Sequence, residues 1–195
     1  MQFFIVLLSY LIGNFSSSYL IGKLTANIDI RNYGSGNAGA TNIMRTLGHK
    51  AAFATLFIDC LKGVSAVYIA RRYGSENLAL IAGVFVVIGH NWPILLNFKG
   101  GKGIATTIGV VISIKSGIAL ICIGIGIVLL LLFKYVSLSS IVAIILFTIL
   151  MFTQGMNYFV FSLALCGLAI YKHRGNIQRL IQGNERKVTD RLGVK

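Results

Sequence analysis

Seven apolar runs follow one another along the chain, at about 2–22, 51–72, 78–96, 104–114, 117–133, 136–153 and 157–171. A helix needs about 20 apolar residues to cross the hydrocarbon core of a bilayer, and most of these runs approach that length. The pattern predicts an all-α, polytopic membrane helix bundle with about seven transmembrane helices, folded as a single domain over residues 1–195. The run 104–114 is the exception, because eleven helical residues rise only about 17 Å against a core of about 30 Å. Fusing it with 117–133 would make a helix of about 45 Å with Lys115 in its middle, a worse fit to a bilayer. The first run starts almost at Met1 with no basic stretch before it and exceeds the core of a secretion signal, so it reads as a retained span.

Composition agrees with this pattern. The chain is 56% hydrophobic and 12% charged, where a soluble domain carries about 25% charged residues. That leaves too little charge to wet a globular surface, so lipid must cover much of the exterior. Cys60, Cys122 and Cys166 each lie inside an apolar run without a CxxC pairing, which points to inert thiols rather than metal ligands or disulfides. Pro93 is the only proline, and glycines inside spans, such as Gly117, Gly124 and Gly126, are read as close helix-packing positions.

The net charge of +13 would suggest nucleic acid in a soluble protein. Here the basic residues lie between apolar runs and in the tail. With the N-terminus outside, the inner segments hold Lys23, Arg31, Arg45, Lys50, Lys99, Lys102 and Lys134. The tail adds Lys172, Arg174, Arg179, Arg186, Lys187, Arg191 and Lys195. Only Arg71, Arg72 and Lys115 fall outside, and Lys62 lies within a span. This bias predicts a cytoplasmic C-terminus.

Three polar segments fall on that same predicted side. The first is Gly34-Ser35-Gly36-Asn37-Ala38-Gly39-Ala40-Thr41-Asn42 with Arg45. It contains GxGxxG by letter, but a membrane helix rather than a strand precedes it, so a dinucleotide site does not fit. Glycines that turn backbone N–H groups toward an anion, ahead of a helix N-terminus, still suit a phosphate, and Arg45 can bind one bidentately. The second runs from Gly89-His90-Asn91-Trp92-Pro93 to Phe98-Lys99-Gly100-Gly101-Lys102-Gly103-Ile104-Ala105-Thr106. It lacks the Ser or Thr that follows the lysine of a P-loop, yet a glycine-flanked lysine before a helix is again suited to phosphate. The third holds Lys172, His173, Arg174, Asn176 and Arg179, with Gly183 and Glu185 beyond. A helix would put His173, Asn176 and Arg179 in one row. The bland alternatives are a ligand-free loop for the first segment and a lipid-headgroup patch for the third.

Within the second run, Asp59 and Lys62 stand three apart and can pair on one helical face, as a structural pair or as part of a site. The five acids form no cluster, which argues against a carboxylate-held Mg²⁺ or Ca²⁺. No histidine has an acid four or five positions later. Phosphate charge would therefore fall to Lys, Arg and backbone amides, with no metal and no cofactor.

Taken together, the three segments resemble the bacterial acyl-phosphate:glycerol-3-phosphate acyltransferases, the PlsY family. Ser18-Tyr19-Leu20-Ile21-Gly22-Lys23 adds to the likeness, and Ser16-Ser17-Ser18 stands where many members carry a proline. The resemblance covers essentially the whole chain. It implies transfer of a fatty acyl group from acyl phosphate to the 1-hydroxyl of glycerol 3-phosphate, giving lysophosphatidic acid and phosphate. It also implies a multi-pass place in the bacterial cytoplasmic (inner) membrane with the site on the cytoplasmic side. The soluble enzyme that makes acyl phosphate is then an expected partner, and nucleic acid is not. Expected catalytic residues are Ser35, Arg45, Lys102, His173 and Asn176. Expected substrate-binding residues are Gly34, Gly36, Asn37, Gly39, Thr41, Asn42, His90, Asn91, Gly100, Gly101, Gly103, Thr106 and Arg179. Glu185 is expected to pin the tail. The competing class is an organophosphate membrane transporter, which shares the spans and basic loops, although no internal repeat is present.

Overall fold

A computed structural model describes residues 1–190, so the predicted inner-side charges Arg191 and Lys195 lie outside the described residues. Among the described residues eight helices carry the fold: α1 (Gln2–Asn14), α2 (Ser17–Ala26), α3 (Ala40–Leu47), α4 (His49–Tyr73), α5 (Glu76–Asn91), α6 (Ile104–Phe133), α7 (Val136–Met151) and α8 (Met156–Ile181). Three short 3₁₀ turns, Ile30–Asn32, Ile94–Leu96 and Phe152–Gln154, join them. By length and apolarity alone five stretches among the described residues can cross a membrane: Gln2–Ala26, His49–Tyr73, Glu76–Leu96, Ile104–Phe133 and Val136–Gln154. Large apolar side chains such as Leu120, Leu131 and Leu132 on α6 stand exposed, as a lipid-facing surface requires.

One predicted run is broken where no break was expected, and one expected division is present. The run 2–22 is broken at Phe15 and Ser16, both extended (Phe15 ψ 109°, Ser16 ψ 96°). No proline is needed for the break, because the Ser16 hydroxyl accepts the Tyr19 N–H and starts α2 as an N-cap. The runs 104–114 and 117–133 are the two legs of α6, separated at Lys115 (φ −143°, ψ 76°). A straight helix of that length would hold its ends about 45 Å apart. Instead Ile104, near one end, and Val136, just past the other, line a single cavity. The chain therefore reverses at Lys115. At the other ends of the runs, the last predicted one, 157–171, continues helically to Ile181 and carries the third polar segment with it.

Apart from the buried Asp59–Lys62 pair within α4, the charged residues sort to the two ends of the bundle. At one end Arg71 pairs with Glu76 (2.7 Å) and donates to the Ser113 carbonyl (2.6 Å), while Lys115 lies over the Tyr158 ring, 4.5 Å from its centroid. At the other end are the cavity, Arg45 and Lys134, whose carbonyl accepts the Val188 N–H at 2.7 Å. Between them a core of buried apolar residues such as Val67, Val86, Val110, Phe147 and Leu165 joins α4 to α8, with Ile5 of α1 added. A smaller cluster of Ile30, Ile43 and Ala52 seats α3 against α4.

Close packing by glycine occurs, but not where it was expected. A Cβ at Gly117 or Gly124 would meet nothing within 4 Å, and only Gly126 approaches a neighbour, the Ala143 Cβ, at 3.3 Å. The close crossings lie elsewhere. Gly13 and Gly89 let α1 meet α5 backbone to backbone, and Gly63 and Gly109 do the same for α4 and the first leg of α6. Helix faces in lipid gain most from dispersion contacts, so the absence of side chains at these crossings is itself a stabilising feature.

Gly89→Val should therefore cost about 3 kcal/mol of stability through overpacking. Gly124→Ala, in open space within a helix, should gain about 0.5–1 kcal/mol. Thermal unfolding in detergent checks both.

Candidate active site

The three polar segments meet in one cavity of about 670 Å³ at the Arg45 end of the bundle. Each arrives by a different local device.

The first segment is a glycine loop held by one asparagine. Gly34 (φ 61°) and Gly36 (φ 71°) sit in the left-handed region, where a side chain would be strained. The buried Asn42 accepts the Ser35 N–H (2.9 Å) and donates to the carbonyls of Ile30 (3.1 Å) and Tyr33 (3.0 Å). Its amide is thus engaged by the loop's own backbone, and it shapes the loop more than it offers groups to a ligand. Gly34, Ser35, Gly36, Asn37, Gly39, Thr41 and Asn42 line the cavity, and so does Ala40 at the start of α3. Arg45, one turn along α3, donates through Nη2 to the carbonyls of Arg186 and Lys187 at 3.1 Å each. Its Nε is buried without a partner among the described residues. Burial lowers its pKa, and Arg186 and Arg179 add to that effect against Glu185 and Asp190.

The second segment divides into a mould and a cast. Tyr10 donates to the Trp92 carbonyl (2.9 Å), Asn14 accepts the Ile94 N–H (2.5 Å), and Lys172 donates to the Asn91 carbonyl (2.9 Å). Residues 90–94 are thereby fixed, and the glycine loop packs on them. A Cβ on Gly100 would strike the His90 carbonyl, one on Gly101 the His90 ring, and one on Gly103 (φ 79°) the Asn91 amide. Lys102, Gly103 and His90 reach the cavity, while Asn91, Gly100, Gly101 and Thr106 do not line it. Those four stand behind the wall, where they set the loop's position. Lys102 extends its ammonium to the Asn176 Oδ1 at 2.7 Å. Burial pulls its pKa from 10.5 down to about 8, with Arg179, Arg45 and Lys172 adding to the effect and Glu185 opposing it.

The third segment lies along the end of α8, where Lys172, His173, Asn176 and Arg179 all line the cavity. The His173 Nδ1 is 2.8 Å from the Ala169 carbonyl, which can only accept, so Nδ1 carries the hydrogen and Nε2 is bare. Glu185 gathers this wall. It accepts from Asn176 (2.6 Å), Ser137 (2.9 Å) and Arg179 (2.8 Å). Burial raises its pKa, but these three bonds outweigh burial and leave the carboxyl below its ordinary range.

Ser35, Arg45, Lys102, His173 and Asn176 are thus brought together, with Glu185 as the clamp. Reading the sequence missed Ser137 and Ser140 of α7, which also line the cavity. Their signal was a serine cluster opening an apolar run directly after Lys134. Asp59 lines the cavity as well but is buried against Lys62 at 2.8 Å. The three cysteines are free; Cys122 and Cys166 are buried and Cys60 half-buried. With Asp59 and Glu185 both engaged, the cavity presents an excess of cations and amides, the chemistry of an anion site.

Comparison with known proteins agrees with that chemistry. A family model described as glycerol-3-phosphate acyltransferase matches residues 3–183. A glycerol-3-phosphate acyltransferase of Alkaliphilus metalliredigens (strain QYMF) is 53% identical over 97% of this chain and 97% of its own length. One of Clostridioides difficile (strain 630) is 44% identical over 94% of each chain. The crystal structure of PlsY (YgiH), an integral membrane glycerol 3-phosphate acyltransferase, in its glycerol 3-phosphate form superposes with a TM-score of 0.91. That structure is 37% identical, over 95% of this chain and 94% of that one. Its lysophosphatidic acid form gives 0.88 at 36% identity, with the same coverage.

Glu185→Ala would leave buried Asn176 and Ser137 groups unpaired. It should lower stability by about 2 kcal/mol, seen as a drop in melting temperature that Glu185→Gln recovers in part.

Proposed function

This chain belongs to the glycerol-3-phosphate acyltransferase family, and we propose that it moves a fatty acyl group from acyl phosphate to the 1-hydroxyl of glycerol 3-phosphate. The products are 1-acylglycerol 3-phosphate (lysophosphatidic acid) and inorganic phosphate, the first step of bacterial phospholipid synthesis. The observation that carries this reading is the convergence of Ser35, Arg45, Lys102, His173 and Asn176, from three distant segments, on one cation-rich cavity.

Donor and acceptor each bring a phosphate group, and placing the acceptor's 1-hydroxyl within bonding distance of the donor's carbonyl carbon brings the two anions close together. Arg45, Lys102 and the glycine-loop amides offset that repulsion and hold the phosphates in place. The mixed anhydride is already activated, so no acyl-enzyme is required. The acceptor hydroxyl attacks the carbonyl carbon, a new C–O ester bond forms, and the bond to the phosphate oxygen breaks. The bare His173 Nε2 takes the hydroxyl proton as attack proceeds, and the departing phosphate receives it. Asn176 orients Lys102 and completes the wall facing the hydroxyl.

In the membrane, the seven helical legs (α1 with α2, α4, α5, the two legs of α6, α7 and α8) are transmembrane. The N-terminus lies outside, and the C-terminus and the cavity lie on the cytoplasmic side of the bacterial inner membrane. The gathering of Lys102, Lys134 and the α8 cations at the cavity end, against Arg71, Arg72 and Lys115 at the other, supports that orientation. A soluble enzyme that makes acyl phosphate is the expected supplier of the donor on that side.

Arg45→Ala and Lys102→Ala should each reduce kcat/KM by about 100-fold or more, measured as phosphate release from acyl phosphate and glycerol 3-phosphate. Near-normal turnover in both would remove the assignment. Solute uptake without phosphate release would instead favour the transporter.

Because the Lys102 ammonium is lost as pH rises through about 8, affinity for glycerol 3-phosphate should fall above that pH. The fall should be up to about tenfold per pH unit, while the phosphate itself is already dianionic. Titration calorimetry should show this slope in the native protein and a shallower one in Lys102→Met.

A further inference from the structure

At the floor of the cavity four buried polar side chains gather: Asp59 of α4 and His90 of α5, which line it, with Ser17 of α2 and Lys62 of α4 behind them. All are buried, Asp59 at 1% and Lys62 at 5% exposure. An ammonium has three hydrogens and no lone pair, so each of its bonds is a donation. The Lys62 Nζ donates to the Asp59 Oδ1 at 2.8 Å and to the Phe15 carbonyl, freed by the break between α1 and α2, at 2.7 Å. Its third direction meets the His90 Nδ1 at 3.1 Å, with the Gly13 carbonyl at 3.3 Å beside it.

A consequence follows for the imidazole. With Lys62 donating to it, Nδ1 is an acceptor and the ring hydrogen must sit on Nε2. Asp59 does not contest this. Its Oδ1 is 3.6 Å from Nδ1, beyond hydrogen-bond range, and it already accepts from Lys62 and from the Ser17 hydroxyl at 2.8 Å. His90 lines the cavity, and its Nε2 has no partner among the described residues. The ring edge carrying Nε2 packs against Gly101, the position where a Cβ would collide with it.

We propose that His90 is a fixed Nε2–H donor to a substrate phosphate oxygen, and that Lys62 and Asp59 are positioning residues that set its tautomer. The inference rests on reading the cavity as the phosphate site. Its physical content is directional. A neutral N–H adds a hydrogen bond to the anion without another full charge among Arg45, Lys102 and Lys172. The opposite tautomer would aim a lone pair at a phosphate oxygen and repel it. His173 holds the reverse tautomer through Ala169. The cavity therefore has one imidazole that donates, toward phosphate, and one that accepts, toward the hydroxyl.

Nitrogen NMR of ¹⁵N-histidine protein at mildly alkaline pH tests this without any substitution, with His90→Gln used only to assign the signals. The expected spectrum has His90 protonated on Nε2 and bare on Nδ1, and His173 the reverse. His90→Phe should raise KM for the substrate whose phosphate it holds by about tenfold to a hundredfold, the range for a lost hydrogen bond to a charged group. The effect on kcat should be smaller. His90→Gln, whose amide can donate near the same place, should recover most of the loss. Lys62→Met should raise the same KM and mix the His90 tautomers, and Lys62→Arg should restore both. A native His90 with its hydrogen on Nδ1 or on both nitrogens overturns the proposal. So does a His90→Phe enzyme whose KM values stay within about twofold. If the native protein failed to turn over acyl phosphate, the reading of the cavity would fall, while the spectrum would still decide the tautomer.

Discussion

Six cationic side chains, Arg45, Lys102, Lys172, Arg174, Arg179 and Arg186, line one cavity at the end of an apolar bundle. Their mutual repulsion, in surroundings that screen charge less well than water, is the force the fold must hold against. Of the two acids that line the cavity, Asp59 is committed to Lys62 and Ser17, and Glu185 opposes the repulsion chiefly through Arg179. The remaining compensation comes from backbone carbonyls: Arg45 on Arg186 and Lys187, and Lys172 on Asn91. A site built this way stays charged and underpaired, and it is completed by anions. That is the property a reaction between two phosphate-bearing substrates needs.

Broken backbone supplies much of that compensation. The interruption at Phe15 frees carbonyls for Lys62, and the reversal at Lys115 brings the start of α6 back beside the start of α7. Glycines act by absence. At Gly13 and Gly89 they let helices cross backbone to backbone. At Gly100, Gly101 and Gly103 they let the lysine loop lie flat on residues 90–93. The second polar segment is therefore half template and half working loop. This explains why Asn91 and Thr106 are fully buried although they belong to a segment that suits phosphate.

All-α architecture, membrane residence, the lack of an internal repeat and the three anion-suited segments were legible in the chain, because each is a local property of spacing and composition. A run of about 20 apolar residues in a bilayer is helical whatever helices lie beside it, and a glycine-flanked lysine before a helix suits phosphate whatever its neighbours. Ser35, Arg45, Lys102, His173 and Asn176, expected as catalytic from the family resemblance, lie in those segments and all line the one cavity. Glu185 was read as a pin and accepts hydrogen bonds from Ser137, Asn176 and Arg179.

Only the tertiary structure decided which partner each group meets. The turn at Lys115, the withdrawal of Asn91, Gly100, Gly101 and Thr106 behind the cavity wall, and the arrival of Ser137 and Ser140 depend on which helices lie side by side. So do the tautomers of the two imidazoles, since one is set by a lysine 28 residues away and the other by a carbonyl one helical turn back. Periodicity records which face of a helix is apolar, but the direction of a hydrogen bond is set by the atom across from it. That atom is known only once the helices have packed.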